Sequence, residues 1–292
     1  MVPSLWARLL RWFALKPYFK GKTRIETLLS RWISMPPMDV GTTFPDGFTM
    51  MLNPDAWADR WLYFRDCEPD VAHVLRQHLQ PGGVFIDAGA NVGFYSLLAS
   101  SLVGPSGQVY AFEPMPVAHA CAKRNLEQNR SSNVVLFHAA LGAARAEADI
   151  YWNGDNHTLS SLRARDGVDQ VCGRCQVLAL DDMVADGSIS RSPDVVKIDV
   201  EGSEMDVLKG AQRLIRGSRP PLLIIELNRN TQPSFGYEPE AIIGFVTSLN
   251  RFSVSWPFYY RHWPVSAGQP LPHLAQFGCN HGGNYLFVPQ GR

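Results

Sequence analysis

The sequence of 292 residues has no net charge: Lys and Arg number 27, and so do Asp and Glu. It therefore lacks the basic excess of a dedicated duplex-DNA binder. No apolar run approaches the ~18 residues needed to cross a bilayer as a helix. Cysteines number five, odd and few for the length, which excludes a disulfide scaffold. Charged residues are sparse at 18% and hydrophobic ones reach 46%, so a core of ordinary size is available and wholesale disorder is excluded. There is no internal repeat and no low-complexity tract. These absences leave a soluble α/β protein of a reducing compartment, one large domain with an appendage, and cytoplasmic placement is expected.

The zero net charge hides an asymmetry. Residues 1–35 carry seven basic groups (Arg8, Arg11, Lys16, Lys20, Lys22, Arg24, Arg31) against the single acid Glu26. Leu5, Trp6, Leu9, Leu10, Trp12 and Phe13 recur there at near-helical spacing. Arginines interrupt the apolar stretch and no small-residue cleavage site follows, so a secretory signal is not the reading. Two readings stay open: a helix docking its stripe on the main domain, or an interfacial helix over residues 1–17 touching the inner face of an anionic membrane. The expected organisation is an amphipathic, basic extension and linker over 1–60, with one domain over 61–292. Pro36, Pro37, Gly41, Pro45, Gly47 and Pro54 make 36–60 loop-rich, with room for one short hairpin.

Beyond the linker, helical and strand patterns alternate. Helices are expected over 69–79, from the glycine loop to Val103, over 116–129, near Asp181, over 203–215 and over 238–250. Strands are expected at 84–87, 108–112, 134–138, 147–152, 175–180, 195–198, 222–227, 252–256 and 285–288. Such alternation implies a parallel sheet covered on both faces. Ligands of these sheets sit beyond the carboxyl ends of the strands, where strand order reverses. Asp87, Glu113 and Asp199 fall at such ends.

The segment Asp87-Ala88-Gly89-Ala90-Asn91-Val92-Gly93 joins a strand to a helix. Gly89 can take positive φ in the tight turn, and Gly93 lets the helix pack close. A dinucleotide fingerprint needs a further glycine where Asn91 stands, and a phosphate loop needs a Lys-Ser/Thr pair that is missing. Glu113, twenty residues after Gly93, ends the next strand, where a carboxylate accepts hydrogen bonds from both ribose hydroxyls. A nucleoside without a pyrophosphate fits this pattern best.

Val-Phe-Ile-Asp-Ala-Gly-Ala-Asn-Val-Gly-Phe-Tyr-Ser (84–96), Val-Tyr-Ala-Phe-Glu-Pro (109–114) and Val-Lys-Ile-Asp-Val-Glu-Gly-Ser-Glu (196–204) together resemble the motifs of the FkbM family. The similarity continues through Leu180-Asp181-Asp182, Val207 to Ala211 and Ile224-Ile225-Glu226, and covers roughly 61–290. It implies an S-adenosylmethionine-dependent enzyme with a Rossmann-like class I methyltransferase fold: a seven-stranded, mostly parallel sheet, helices on both faces, and here a helical N-terminal extension. It also implies that Asp87, Gly89, Asn91 and Gly93 hold the methionine half of the cofactor and that Glu113 binds its ribose. Ala140, following Ala139, matches the adenine pocket. Glu68 matches a family glutamate upstream of the sheet, although Asp66 and Cys67 replace the family's usual glycine nearby.

Methyl transfer from a sulfonium is an in-line displacement in which alignment supplies much of the catalysis, and a hydroxyl nucleophile gains from a base. Asp199 and Glu201, two residues apart at a strand end, would leave one face of the sheet in extended geometry. Asp199 is a candidate for contact with cofactor or acceptor. Glu201 is a second candidate, against the alternative of capping the helix that follows. Lys197, on the same face, needs a carboxylate partner, for which Glu201 or Glu226 is available. His157 and His281, in polar loops, are alternative bases. No metal site is assigned, and Cys172-Gly173-Arg174-Cys175 is a single pair without the second pair that structural zinc requires. The fourth strand end lacks the Pro-Pro-aromatic signature of exocyclic-amine methylation, and no Pro-Cys pair for cytosine methylation occurs. The expectation is O-methylation of a sugar, glycoconjugate or polyketide-type metabolite, with no nucleic-acid partner. The rivals are N-methylation of a peptide or polyamine, and a non-catalytic membrane-associated scaffold.

Overall fold

The computed structural model describes residues 40–53, 57–64, 68–152, 160–258, 261–268, 271 and 282–291. Residues 1–39, His157 and His281 lie outside the described residues, and with them the proposed N-terminal helix and both candidate histidines.

The described residues open with a hairpin, β1 (Val40–Thr43) and β2 (Thr49–Leu52), and two helices, α1 (Trp57–Phe64) and α2 (Pro69–His78). Then come β3 (Val84–Ala88), α3 (Phe94–Val103), β4 (Gln108–Phe112), α4 (Pro116–Gln128) and β5 (Val134–Phe137). Three strands follow, β6 (Ala139–Leu141), β7 (Ala146–Trp152) and β8 (Gln170–Leu178), and then α5 (Leu180–Ala185) and β9 (Val195–Ile198). The remainder is α6 (Glu204–Lys209), α7 (Gln212–Arg216), β10 (Leu222–Asn228), a 3₁₀ turn over Gln232–Phe235, α8 (Glu240–Leu249), β11 (Phe252–Phe258), β12 (Arg261–Val265) and β13 (Gly282–Pro289).

The central sheet runs β12-β11-β13-β10-β9-β3-β4-β5. Strands β3, β4, β5, β9 and β10 are parallel, and β13 enters antiparallel to β10. The chain builds outward from β3 to β5 and then returns to place β9 on the other side of β3. That reversal is the switch point where such sheets bind ligands. The seven expected strands are present, and β12 adds an eighth at the edge, where Pro264 costs no hydrogen bond of a central ladder. β3 and β9 are buried at every residue, as expected for parallel strands covered on both faces.

One apolar layer packs Phe85, Leu222 and Ile224 against α2, α3 and the β1–β2 hairpin. The other packs Ile86, Ile198 and Ile225 against α5, α6, α7 and α8. Phe44, Phe48, Met50 and Leu52 belong to the first layer, so the compact unit reaches back to Val40, across the edge expected at residue 60. The single helix expected over 203–215 is two. A Cβ on Gly210 would lie 2.0 Å from the carbonyl oxygen of Gly142, and the carbonyl of Gly210 accepts the amide of Asp181, so the helix breaks where another chain segment presses on it. The strand expected over 134–138 also ends early, because the chain leaves the central sheet at His138 and enters the small sheet β6-β8-β7.

Candidate active site

The glycine loop is shaped by its backbone. Gly89 has φ +86°, and a Cβ there would lie 1.9 Å from the carbonyl oxygen of Asp199. Only glycine lets the ends of β3 and β9 approach so closely. Gly93, at φ +90°, packs against Ala122 of α4, and Asn91 takes a left-handed conformation that Asn tolerates. The side-chain oxygen of Asn91 is buried and accepts no hydrogen bond among the described residues.

Glu113 closes this loop from the next strand. Its Oε2 accepts the amide of Asn91 at 2.8 Å and its Oε1 the amide of Met115 at 2.8 Å. Each oxygen keeps a lone pair for a further donor. Burial raises its pKa to about 7, against the lowering effect of the two amides. Ala140 is buried beside Met115, in a small cluster with Ile150, Cys175 and Val177. Cys172 joins that cluster at the β7–β8 bulge, and its thiol lies 3.6 Å from the sulfur of Met115. Among the described residues no three His, Cys, Asp or Glu side chains are grouped to hold a metal ion.

A polar band crosses the sheet beside this loop. Asp87 of β3 pairs in register with Lys197 of β9, Lys197 with Ile224 of β10, and Glu226, two residues on, with Asn284 of β13. Alternation puts Asp87, Lys197, Glu226 and Asn284 on one face of the sheet. Asp87 is fully buried between β3 and α3, where it accepts Ser96 Oγ at 2.6 Å, and burial raises its pKa. Lys197 is 1% exposed. Its Nζ donates to Asp199 Oδ2 at 2.7 Å and stands 4.7 Å from the ring centre of Tyr95. Burial alone would lower its pKa, but Asp199, Glu68 and Asp87 outweigh that and keep it charged. The sequence offers Glu201 or Glu226 as the partner of Lys197. The partner is Asp199, because Lys197 and Asp199 leave the chain on one side, two residues apart.

Glu201 departs from the extended geometry that placed it beside Asp199. β9 ends at Ile198 and Glu201 has φ +53°, so the chain has already turned. Its carboxylate accepts Arg165 Nη2 at 3.0 Å, and burial together with the charge of Asp199 pushes its pKa up. It does not cap the following helix. Glu204, fully buried, does the holding there: its Oε1 accepts the amides of Val200 and Gly202, and its Oε2 accepts Gln232 and Tyr237. Glu68, left-handed at the start of α2, accepts Tyr95 Oη at 2.8 Å and Asn284 Nδ2 at 2.6 Å. Arg165, Glu204 and Asn284 were not singled out by sequence. Glu204 lies inside a recognised motif, whereas nothing local marks Arg165 or Asn284.

The site therefore brings together Glu68, Asp87, Gly89, Asn91, Gly93, Glu113, Asp199 and Glu201. The loop fits a nucleoside-bearing group: a close-approach turn, an unpaired amide oxygen and a carboxylate with spare lone pairs.

The chain is similar to known proteins. The family model described as "Methyltransferase FkbM domain" matches residues 87–251, more than half the chain. The hexuronic acid methyltransferase AglP of Haloferax volcanii is 26% identical over 170 residues, 57% of this chain and 64% of that protein. The chain thus spans just under two thirds of that relative. "Methyltransferase 1" of Beauveria bassiana is 28% identical over 183 residues, 56% of this chain and 72% of that protein. The solved FkbM methyltransferase of Methylobacillus flagellatus superposes with a TM-score of 0.44 at 15% identity, over 96% of this chain and 58% of that one.

Proposed function

The chain belongs to the FkbM methyltransferase domain family, and from that premise we propose that it methylates a hydroxyl oxygen of a sugar, glycoconjugate or polyketide-type metabolite. S-adenosylmethionine is the methyl donor, and when bound it supplies an electrophilic methyl group on a sulfonium. In this reading Gly89, Asn91 and Gly93 hold the methionine half, Glu113 accepts the ribose hydroxyls, and Ala140 flanks the adenine. Asp199 and Glu201 face the acceptor.

The observation that carries the oxygen acceptor is the set of carboxylates at the ends of β9 and β10, next to the glycine loop. Carboxylates accept hydroxyl protons and orient hydroxyl groups, and alignment is most of what an in-line displacement needs. The similarity to a hexuronic acid methyltransferase supports a sugar among these classes.

Labelled S-adenosylmethionine, offered with methyl glucuronide, methyl galacturonide, methyl glucoside, a hydroxylated macrolide and spermidine, tests this. Methyl label on an oxygen, located by mass spectrometry, is the expected result. Label on spermidine nitrogen alone, or on nothing, would overturn it.

A further inference from the structure

Most carboxylates at this edge have defined partners. Asp199 Oδ2 is engaged by Lys197, and Glu201 Oε2 by Arg165. Both oxygens of Glu68 accept side-chain donors, both of Glu113 accept backbone amides, and Glu204 is wrapped by four donors. Asp87 also has an oxygen without a partner among the described residues, but the whole residue is buried in the sheet, at 0% exposure. Glu226 differs. Its residue is partly exposed, its Oε1 receives only the long 3.4 Å contact from Asn228 Nδ2, and its Oε2, itself a buried atom, has no partner among the described residues.

The surroundings are shaped to this group. A Cβ on Gly282 would lie 2.1 Å from Glu226 Oε1, so β13 carries glycine where the carboxylate lies against it. Directly across the ladder is Asn284, 7% exposed, whose amide nitrogen is bound to Glu68 and whose oxygen is buried without a partner among the described residues. A carboxylate oxygen and an amide oxygen on register-paired residues, both buried and both without a donor among the described residues, call for a hydroxyl donor.

We infer that Glu226 receives the proton of the acceptor hydroxyl, with Asn284 accepting a neighbouring hydroxyl of the same acceptor. This rests on the oxygen-methylation reading above. The acceptor O–H bond breaks towards the Glu226 carboxylate while the acceptor oxygen forms a bond to the methyl carbon. The C–S electron pair stays on sulfur, leaving a methyl ether, a neutral thioether and a protonated Glu226 that returns its proton to water. Loss of hydration, then the charges of Asp199, Glu201, Glu204 and Glu68, raises the pKa of Glu226 well above the usual carboxylate range. Lys197 and Arg165 are the cations of the same cluster, each already paired with a carboxylate.

Glu226→Gln keeps the shape and removes the basicity. With the panel member that the wild type methylates, turnover is expected to fall by roughly 10²-fold or more, while affinity for S-adenosylhomocysteine stays within about threefold. A smaller loss assigns the proton elsewhere. Carbon-13 carboxyl NMR of the cofactor-free wild type, with the Glu226 signal assigned by its loss in Glu226→Asp, supplies a readout independent of activity and of the folding of the Gln variant. Titration well above the ordinary range supports the inference, and titration near 4.5 overturns it. A wild type that methylates no oxygen defeats the underlying reading, and the inference with it.

Discussion

Gly89 carries the tightest steric demand in the site. A methyl group there would meet the carbonyl of Asp199, a backbone atom that cannot rotate away, and would sit at φ +86°. The left-handed conformation alone costs about 1–2 kcal/mol for an L-residue. Gly89→Ala is expected to lose at least ~2 kcal/mol of stability and its cofactor binding. A variant that melts and binds like the wild type would show that the strands do not approach so closely. Glu113 has a different signature. Between its ordinary 4.5 and about 7 it holds a proton in the folded chain but not in the unfolded one, so its contribution lowers stability as pH rises through that window. Glu113→Gln should remove this dependence, leaving the variant relatively better off at pH 8 than at pH 4.5 in urea denaturation. Gly89, Gly93 and Glu113 were legible in sequence because a backbone demand or a strand end is a local property. Asn284 was not, since it reaches Glu68 across 216 residues of chain, a contact set only by the placement of β13 beside β10.

Among elements, the β1–β2 hairpin is tied directly to the site. Asn125 of α4, fully buried, accepts the amide of Met51 at 2.9 Å and donates to the carbonyl of Val92 in the glycine loop at 3.0 Å. Asn129 accepts and donates to Thr49 at 2.8 and 2.6 Å. Asn125→Ala leaves the buried Val92 carbonyl and the part-buried Met51 amide without this partner, and an unsatisfied buried group costs about 1–3 kcal/mol. A fall in melting temperature together with weaker cofactor binding is expected, and unchanged cofactor affinity would uncouple the hairpin from the loop. Sequence patterning found most of the strands and helices, because buried parallel strands read as short apolar runs between punctuating glycines and prolines. It failed where tertiary contact overrides local preference: at the break between α6 and α7, where Gly142 presses on Gly210, and at Glu201, where the chain turns before the alternation can continue.

At the scale of the molecule, the reversal of strand order between β3 and β9 puts the glycine loop, Glu113 and the carboxylates of β9 and β10 on one edge. Residues 1–17 lie outside the described residues, and their deletion separates the two readings of that segment. Affinity for S-adenosylmethionine is expected to persist within about twofold. Loss of salt-sensitive sedimentation with anionic vesicles would assign the segment to a membrane surface, where each basic group contributes about 1 kcal/mol. Unfolding of the truncated chain would assign it to packing on the domain.

The most direct measurement is a calorimetric titration of the wild type and Glu113→Ala with S-adenosylmethionine. At pH 8, above the raised pKa of Glu113, the wild type should bind one equivalent, and the folded variant should bind about ten- to a hundred-fold more weakly, the loss of hydrogen bonds to a charged acceptor. A folded wild type that binds none, or a folded Glu113→Ala that binds equally well, would contradict a cofactor site at this edge of the sheet.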